Sequence, residues 1–234
     1  MTDSMAIVGL ACRYPDADSP EQLWENVLAQ RQAFRRIPPE RLRLEDYFEK
    51  NRNKPDTTYS SQAALLDGFE FDRQRYRVAG ALFRTVDPSH WLALQVASEA
   101  LTDAGYENGE RLKREMTGVV VGNTLTGDFS RSTVMRSRWP FVRRVVESEL
   151  VNYEWTPERR QEFLNRLGDS YKAPFPPVGE ETLAGMLSNT IAGRICNYYD
   201  LRGGGYTVDG ACASSLIAVN TACSLLAAGD LDVA

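Results

Sequence analysis

Short, continuous apolar runs recur along the chain and end in small residues. The first covers residues 6–12, and the second covers residues 117–122 and ends at Gly122. Uninterrupted apolar runs of this length are typical of strands buried on both faces of a parallel or mixed sheet. A third, short strand is predicted over residues 206–209, and a fourth begins at Leu231. The pattern therefore predicts a sheet with buried strands.

Helix signals alternate with these strands. Ser19-Pro20-Glu21 combines an N-cap, a proline at the first helical position and an acid in the first turn, which predicts a helix start. Another helix is predicted from Asp87-Pro88 to residues 104–105, and further ones over residues 180–197 and 212–228. The residues expected to pack the first helix are Leu23, Val27, Leu28 and Trp24.

The order of strands and helices indicates an α/β fold with helices packed on the faces of a sheet. Two long insertions interrupt it, at about 31–84 and about 123–178. Gly203-Gly204-Gly205 lacks the Lys-Ser/Thr ending of a phosphate loop and predicts a tight turn before a strand. Because a strand begins at Leu231 with nothing after it, we expect the natural domain to continue.

Composition and charge exclude several classes of function. The chain is 43% hydrophobic and 25% charged, with a formal net charge of −5, so it has no basic stripe for nucleic acid. No apolar run approaches the ~20 residues of a membrane span, and the polar start at residues 1–5 is unlike a signal peptide. Four dispersed cysteines and a single histidine favour reduced thiols, a cytoplasmic location and no metal site.

One cysteine lies in a setting that favours chemistry over packing. Cys212 follows a strand and the small residues Gly210 and Ala211, and precedes Ala213, Ser214 and a long apolar helix. A thiol near a helix N-terminus is favoured as thiolate by the helix dipole, and free backbone N–H groups there can hold an oxyanion. The sequence thus predicts Cys212 as a nucleophile, with Gly210, Ala211, Ala213 and Ser214 as its supporting turn.

Other polar residues near this motif have plainer interpretations. Cys12, Cys196 and Cys223 lack the same setting and are interpreted as packing residues, as most free cysteines are. For Asp209 we favour a capping or turn role over that of a catalytic acid. Thr207 and Ser214 suit either the site or the helix start, and His90 is interpreted as a packed or capping residue.

Four segments together resemble the β-ketoacyl synthases of polyketide and fatty-acid synthesis. They are residues 208–216 around Cys212, residues 7–15, the helix of residues 87–106, and residues 189–195. The segments 90–91, 138–140 and 175–182 are similar to iterative type I synthases of the enediyne or polyunsaturated fatty-acid kind.

The resemblance implies a thiolase-like fold whose N-terminal half has a mixed five-stranded sheet, and residues 1–234 would form that half. It implies that Cys212 takes an acyl chain from the 4′-phosphopantetheine of an acyl carrier protein. A malonyl-type thioester then condenses with this chain by decarboxylation. The domain binds no cofactor of its own and is expected to be a dimer with no membrane or nucleic-acid partner.

The resemblance also implies that two histidines and a lysine, which follow the nucleophile in the family, complete the reaction. None occurs among the 22 residues after Cys212, so we expect this chain to be incomplete for condensation. The alternatives are a thiolase-fold acyltransferase or hydrolase without condensation, and a non-catalytic dimerisation or binding half-domain. A basic patch of Arg136, Arg138, Arg143 and Arg144 suits an acidic carrier protein, although we favour a solvated helix face.

Overall fold

A pair of parallel strands organises the part of the molecule that carries Cys212. In the computed structural model, β3 (Val119–Gly122) pairs with β4 (Gly205–Val208), with Val119 opposite Gly205 and Gly122 opposite Val208. On the other side of β3, Thr117 forms a parallel bridge with Val233, where a strand was predicted to begin. The α/β class is confirmed, but the sheet has two strands and this bridge, rather than five strands, within the described residues.

The structure describes residues 4–124 and 127–234, so the polar start at residues 1–3 and two residues of the second insertion lie outside it. The chain forms two compact units. The first consists of residues 1–6, 71–95 and 108–234, and the second of residues 7–70 and 96–107.

Two helices cover the opposite faces of the strand pair. A Cβ on Gly205 would meet Cys196 and Ala192 of α9 (Asn189–Tyr199), whereas a Cβ on Gly122 would meet the start of α10 (Ser214–Ala228). Gly205 lies opposite Val119, which is three residues before Gly122. Because successive residues of a strand face opposite sides of the sheet, a Cβ at Gly122 and a Cβ at Gly205 would point to opposite faces. The strands are thus a central layer between α9 and α10.

The remaining helices of the first unit follow the predicted order in part. The helix predicted from Asp87 is α4 (Pro88–Asp103), which stops at the left-handed Gly105 and whose second half lies in the other unit. The second insertion is helical, and the further helices of the first unit are α3 (Gly80–Phe83), α5 (Asp128–Ser137), α6 (Trp139–Val151), α7 (Pro157–Lys172) and α8 (Thr182–Met186).

The helix predicted over residues 180–197 is divided into α8 and α9. Leu187 is extended between them, and the Thr190 hydroxyl donates to the carbonyls of Ala184 and Leu187. The Ser188 carbonyl accepts a hydrogen bond from the Thr207 hydroxyl of β4. These side-chain hydrogen bonds satisfy carbonyls that a continuous helix would use, so tertiary contacts override the helical pattern here.

The second unit contains short elements in the region of the first predicted insertion. It has α1 (Pro20–Leu28), α2 (Leu44–Tyr47), and an antiparallel pair of β1 (Arg35–Arg36) and β2 (Gln62–Ala63). The start of α1 is as predicted, since the Ser19 hydroxyl accepts from the Gln22 N–H. Its predicted burial is wrong, because Trp24, Val27 and Leu28 are exposed and Leu23 is only half-buried.

The prediction of a buried strand over residues 6–12 is also wrong. This segment has no strand assignment, and Ile7, Val8 and Leu10 are 81%, 62% and 59% exposed. It lies instead along the second half of α4, where the Leu10 N–H donates to the Asp103 carboxylate at 2.8 Å. No strand of the described residues runs beside the segment, so its backbone has no ladder to join.

The segment Ala211–Ala228 is the most apolar helical stretch that the structure describes. Its 18 residues have a mean hydropathy of 1.6, which by length and composition alone would suffice to cross a membrane. The sequence had indicated no apolar run of nearly that length. Core helices of soluble proteins give the same pattern, and only 11% of this segment is buried within the chain. Leu216 and Val219 are among its exposed residues.

Candidate active site

The two parallel strands end at the same edge of the sheet, and the residues directly after them build the candidate site. Asn123 and Thr124 come directly after β3, and residues 209–213 come directly after β4. Parallel strands bring residues after their carboxyl ends together. Asn123 extends the ladder by one hydrogen bond from its N–H to the Val208 carbonyl at 3.1 Å.

Asp209 holds the first turn after β4. Its Oδ1 accepts from the Ala211 N–H at 2.9 Å and from the Thr124 hydroxyl at 2.9 Å. The Ala211 N–H, and after it the Thr124 hydroxyl, lower the pKa of the Asp209 carboxyl. The turn role favoured from the sequence agrees with these contacts. Thr124 was not singled out from the sequence, although its place after a strand closed by glycine could have indicated it.

Ser214 closes the same turn from the other end. Its hydroxyl accepts from the Gly210 N–H at 2.9 Å and donates to the Ala211 carbonyl at 2.7 Å. Ser214 is buried and is the first residue of α10. Its side chain is therefore committed to the backbone of the turn, as an elbow-supporting residue would be.

Ala211 adopts a strained backbone conformation immediately before Cys212. Its φ of 50° lies in the left-handed region, which costs a residue with a Cβ roughly 1–2 kcal/mol. Gly210 before it has φ −133° and ψ 32°. The hydrogen bonds from Asp209 and Ser214 hold this conformation, which turns the chain sharply between β4 and α10.

Cys212 lies in a short 3₁₀ turn at residues Ala211–Ala213, two positions before the α-helix begins at Ser214. The helix predicted to start at Cys212 thus starts two residues later, although the thiol still lies at its N-terminal end. The Cys212 side chain is exposed, and its immediate neighbours Ala211 and Ala213 are small. An incoming carbonyl group can approach the sulfur, and the partial positive charge of the helix start favours a developing anion there.

Close packing fixes the turn against the sheet. A Cβ on Gly122 would lie 2.6 Å from the carbonyl carbon of Ser214, so only glycine lets the end of β3 approach the start of α10. A Cβ on Gly210 would overlap the Ile217 side chain. Gly210, assigned to the turn from the sequence, lies in that turn, and the Ile217 atom that its Cβ would meet is the end of a flexible side chain.

A second layer of polar contacts supports the ends of both strands. The Asn123 amide donates to the Ser188 hydroxyl at 2.6 Å, and the Thr207 hydroxyl donates to the Ser188 carbonyl at 3.0 Å. Thr207 thus binds the backbone before α9 rather than the thiol. Asn123 and Ser188 were not identified from the sequence, because their meeting depends on a contact across 65 residues.

His90 is a buried packing residue, in agreement with its interpretation from the sequence. Its Nδ1 accepts from the Arg194 Nε at 3.0 Å, and burial, followed by the charge of Arg194, lowers its pKa to about 4. His90 and Asn123 both line a small pocket of about 110 Å³. The neutral imidazole therefore serves as an acceptor for a cation, which leaves its other nitrogen as the N–H.

The other predicted residues fall into packing and surface roles. Cys12, Cys196 and Cys223 are half-buried, and burial raises the pKa of the Cys12 and Cys196 thiols. Within the described residues, no group of three or more histidine, cysteine, aspartate or glutamate side chains could hold a metal ion.

The basic patch predicted at residues 136–144 is divided in function. Arg136 donates to the carbonyls of Lys172 and Phe175, and Arg143 donates to Gln161. These two arginines tie α5 and α6 to α7 and to the residues directly after it. Arg138 and Arg144 instead line an open surface groove.

Comparisons with known proteins place this geometry in a family. The model of the β-ketoacyl synthase N-terminal domain matches residues 2–234. The chain is 28% identical over 233 residues to a polyunsaturated fatty acid synthase polypeptide of Thraustochytrium sp. (strain ATCC 26185 / S-3), covering 100% of the chain and 8% of that protein. It is 30% identical over 232 residues to fumosorinone synthetase of Cordyceps fumosorosea (strain ARSEF 2679), covering 97% of the chain and 5% of that protein.

A solved structure gives the same result for the fold. The oxazolomycin ketosynthase domain OzmH KS7 of Streptomyces albus JA3453 superposes with a TM-score of 0.71 at 23% identity, over 97% of this chain and 33% of that one. The fold is therefore the thiolase-like fold of ketosynthases, and the chain spans about a third of that solved domain. Because the family model covers nearly every residue, this chain belongs to the β-ketoacyl synthase family and corresponds to its N-terminal domain.

Proposed function

We propose that Cys212 is the acyl-accepting nucleophile of a β-ketoacyl synthase. The Cys212 thiolate attacks the carbonyl of an acyl thioester carried on phosphopantetheine, and the carrier leaves as a thiolate that takes up the proton lost by Cys212. The observation that carries the proposal is an exposed thiol held by a strained turn at the start of α10. Family membership supports the same role.

The second half of the reaction takes place in the complete synthase. A malonyl-type thioester on a carrier protein loses CO₂, and the resulting carbanion attacks the acyl-Cys212 carbonyl. The new C–C bond leaves a β-ketoacyl chain on the carrier and regenerates the Cys212 thiolate. We propose that further parts of the same domain supply the groups for decarboxylation and cover exposed side chains of α10, such as Leu216 and Val219. Similarity to the Thraustochytrium synthase supports a polyunsaturated fatty-acid or polyketide product.

Dimer formation by the complete domain is supported by one free strand edge. β4 pairs with β3 on one side, and no strand of the described residues pairs with its other side. Such an edge can pair with a second copy of the same strand. Light scattering on the complete domain should give twice the mass of one chain, and a monomer at micromolar concentration would refute the dimer. The unpaired thiols support a cytoplasmic location for the protein.

Mass spectrometry tests the nucleophile directly. The chain is incubated with an acyl-phosphopantetheine thioester, and we expect one added acyl group on the peptide that contains Cys212. Cys212→Ala should abolish the adduct, whereas Cys223→Ala, a change at a half-buried position in the following helix α10, should retain it. An adduct that survives Cys212→Ala, or none on the unaltered chain, would refute the assignment.

The two other functions give different time courses in the same experiment. A hydrolase would release free acid with repeated turnover, so the thioester would be consumed in excess over protein. A purely structural domain would give no adduct. Condensation is favoured if the acyl group on Cys212 is stable in this chain and if, in the complete domain, it disappears only after a malonyl thioester is added.

A further inference from the structure

One side chain from outside the turn fastens the segment before Cys212 to the neighbouring strand. Thr124 lies two residues after the end of β3, and its hydroxyl donates to Asp209 Oδ1 at 2.9 Å. The same oxygen accepts from the Ala211 N–H at 2.9 Å. Thr124 and Asp209 are 85 residues apart in the chain, so this contact depends on the pairing of β3 with β4.

The carboxylate that joins these two donors is exposed to solvent. Water therefore competes for the oxygens of Asp209, and its side chain is free to adopt other rotamers unless its neighbours restrict it. Two donors from different segments meet at Oδ1, and hydrogen bonds to a carboxylate are stronger than those between neutral groups. The Thr124 hydroxyl thus restricts Asp209 to the rotamer that accepts from Ala211.

Ala211 depends on such contacts because its φ of 50° is unfavourable for a residue with a Cβ. The strain is similar in size to the contribution of one hydrogen bond. Ala211 is held by the bond from its N–H to Asp209 and by the bond from the Ser214 hydroxyl to its carbonyl. Because Cys212 follows directly, a change in the φ of Ala211 would move the thiol relative to the start of α10.

We propose that Thr124 is a positioning residue for the acylation of Cys212 and acts through Asp209 and Ala211. This inference rests on the proposed function and extends it, because it makes the residues after β3 part of the structure that presents the thiol. The pKa of Asp209 is lowered by the Ala211 N–H and then by the Thr124 hydroxyl, and no charged side chain of the described residues acts on it. An ionised carboxylate can only accept, so it suits both donors.

Nuclear magnetic resonance tests the effect of Thr124 on the turn without any acyl substrate. Thr124→Val keeps the shape of the side chain and removes the hydroxyl. The nuclear Overhauser effect between the amide and α protons of Ala211 is stronger at positive φ, where these protons lie closer together. We expect it to weaken in Thr124→Val and to be retained in Thr124→Ser. An Overhauser effect of unaltered strength in Thr124→Val would overturn the proposal.

Acylation kinetics test the consequence for the thiol. Thr124→Val should lower the maximal rate of Cys212 acylation about fivefold, which corresponds to one hydrogen bond. The thioester concentration for half-maximal rate should not change, because no group that touches the substrate is removed. Thr124→Ser should restore the rate. Thr221→Val is the matched control, since its hydroxyl donates within α10 to the Ile217 carbonyl at 2.8 Å, and it should leave the rate unchanged.

A double-mutant cycle shows whether Thr124 acts through Asp209. Asp209→Ala removes the acceptor of both bonds, so adding Thr124→Val to it should slow acylation no further. Fully additive losses would overturn the proposal. Thr124 is exposed, so its variants should fold, and Thr124→Ala gives the same comparison if Thr124→Val does not. An unaltered chain that is never acylated would refute the proposed function, whereas an acylated chain whose rate does not respond to Thr124→Val would refute this inference alone.

Discussion

Replacing Ser214 with alanine tests whether the turn before α10 positions Cys212 for the acylation that we propose. The Ser214 hydroxyl makes two hydrogen bonds to the turn, from the Gly210 N–H and to the Ala211 carbonyl. The change removes one oxygen atom from a buried position and introduces no new group. Its effects can therefore be attributed to the loss of these two bonds.

The magnitude depends on the partners that remain. A typical intramolecular hydrogen bond contributes about 1 kcal/mol, so two contribute about 2 kcal/mol. Gly210 is half-buried and Ala211 is exposed, so water can reach part of the released backbone and lower this figure. We expect Ser214→Ala to reduce the free energy of unfolding by about 1–2 kcal/mol. Ala211, then held at φ 50° only by the bond from its N–H to Asp209, should relax toward negative φ in part and displace Cys212.

Urea denaturation measures the first effect, and the initial rate of Cys212 acylation measures the second. Ser215→Ala is the matched control, because Ser215 is the next residue of the same helix and is exposed. The control should leave both quantities unchanged, whereas Ser214→Ala should slow acylation several-fold under conditions where the chain is fully folded. Stability within about 0.5 kcal/mol of the unaltered chain would refute the energetic reasoning. An unaltered acylation rate would refute the role of the turn.

Four other substitutions probe the packing and the pH dependence of the fold. Gly122→Ala should lower the free energy of unfolding by about 1–3 kcal/mol, because its Cβ would meet the Ser214 backbone. Gly193→Ala in α9, where the space is open, should raise the free energy of unfolding by up to about 1 kcal/mol. Thermal unfolding measures both changes. His90 has a folded pKa of about 4 and an ordinary value of 6.5, so the unfolded chain binds more protons between these values. Stability should therefore fall by about 3 kcal/mol as the pH drops from 6.5 to 4, and His90→Gln should flatten urea midpoints in that window. Because the pKa of Asp209 is lowered in the folded chain, its ionised carboxylate stabilises the fold above the ordinary carboxyl pKa, and this stabilisation is lost as the pH falls through the folded pKa. Asp209→Asn should remove this acid-dependent loss of stability. A variant whose stability has the same pH profile as the unaltered chain would contradict this prediction.

Local signals predicted the elements whose hydrogen bonds are made within a few residues. The Ser19 cap, the end of α4 at Gly105 and the left-handed Gly229 at the end of α10 depend on side chains and backbone angles close in sequence. The apolar run at residues 6–12 has the composition of a buried strand, but a strand also needs a neighbour. Composition cannot show whether one is present, so this prediction failed.

The division of the predicted helix at residues 180–197 has a related cause. Its break depends on hydrogen bonds between Ser188 and two residues on the ends of β3 and β4, Asn123 and Thr207. The residues that meet there are far apart in the chain. A helical pattern within one segment contains no information about such contacts.

The site shows the same division between local and distant information. The order strand, small residues, cysteine and helix is contained in one short segment, which is why the sequence alone predicts Cys212 and its turn as a candidate site. The left-handed alanine at position 211 could not, since alanine ordinarily avoids that conformation. It persists because Asp209 accepts from the Ala211 N–H and Ser214 donates to the Ala211 carbonyl, and Asp209 also accepts from Thr124, which follows β3. Strain that is held by contacts from the ends of two strands and the start of a helix, directly before an exposed thiol, supports our proposal that the turn presents that thiol.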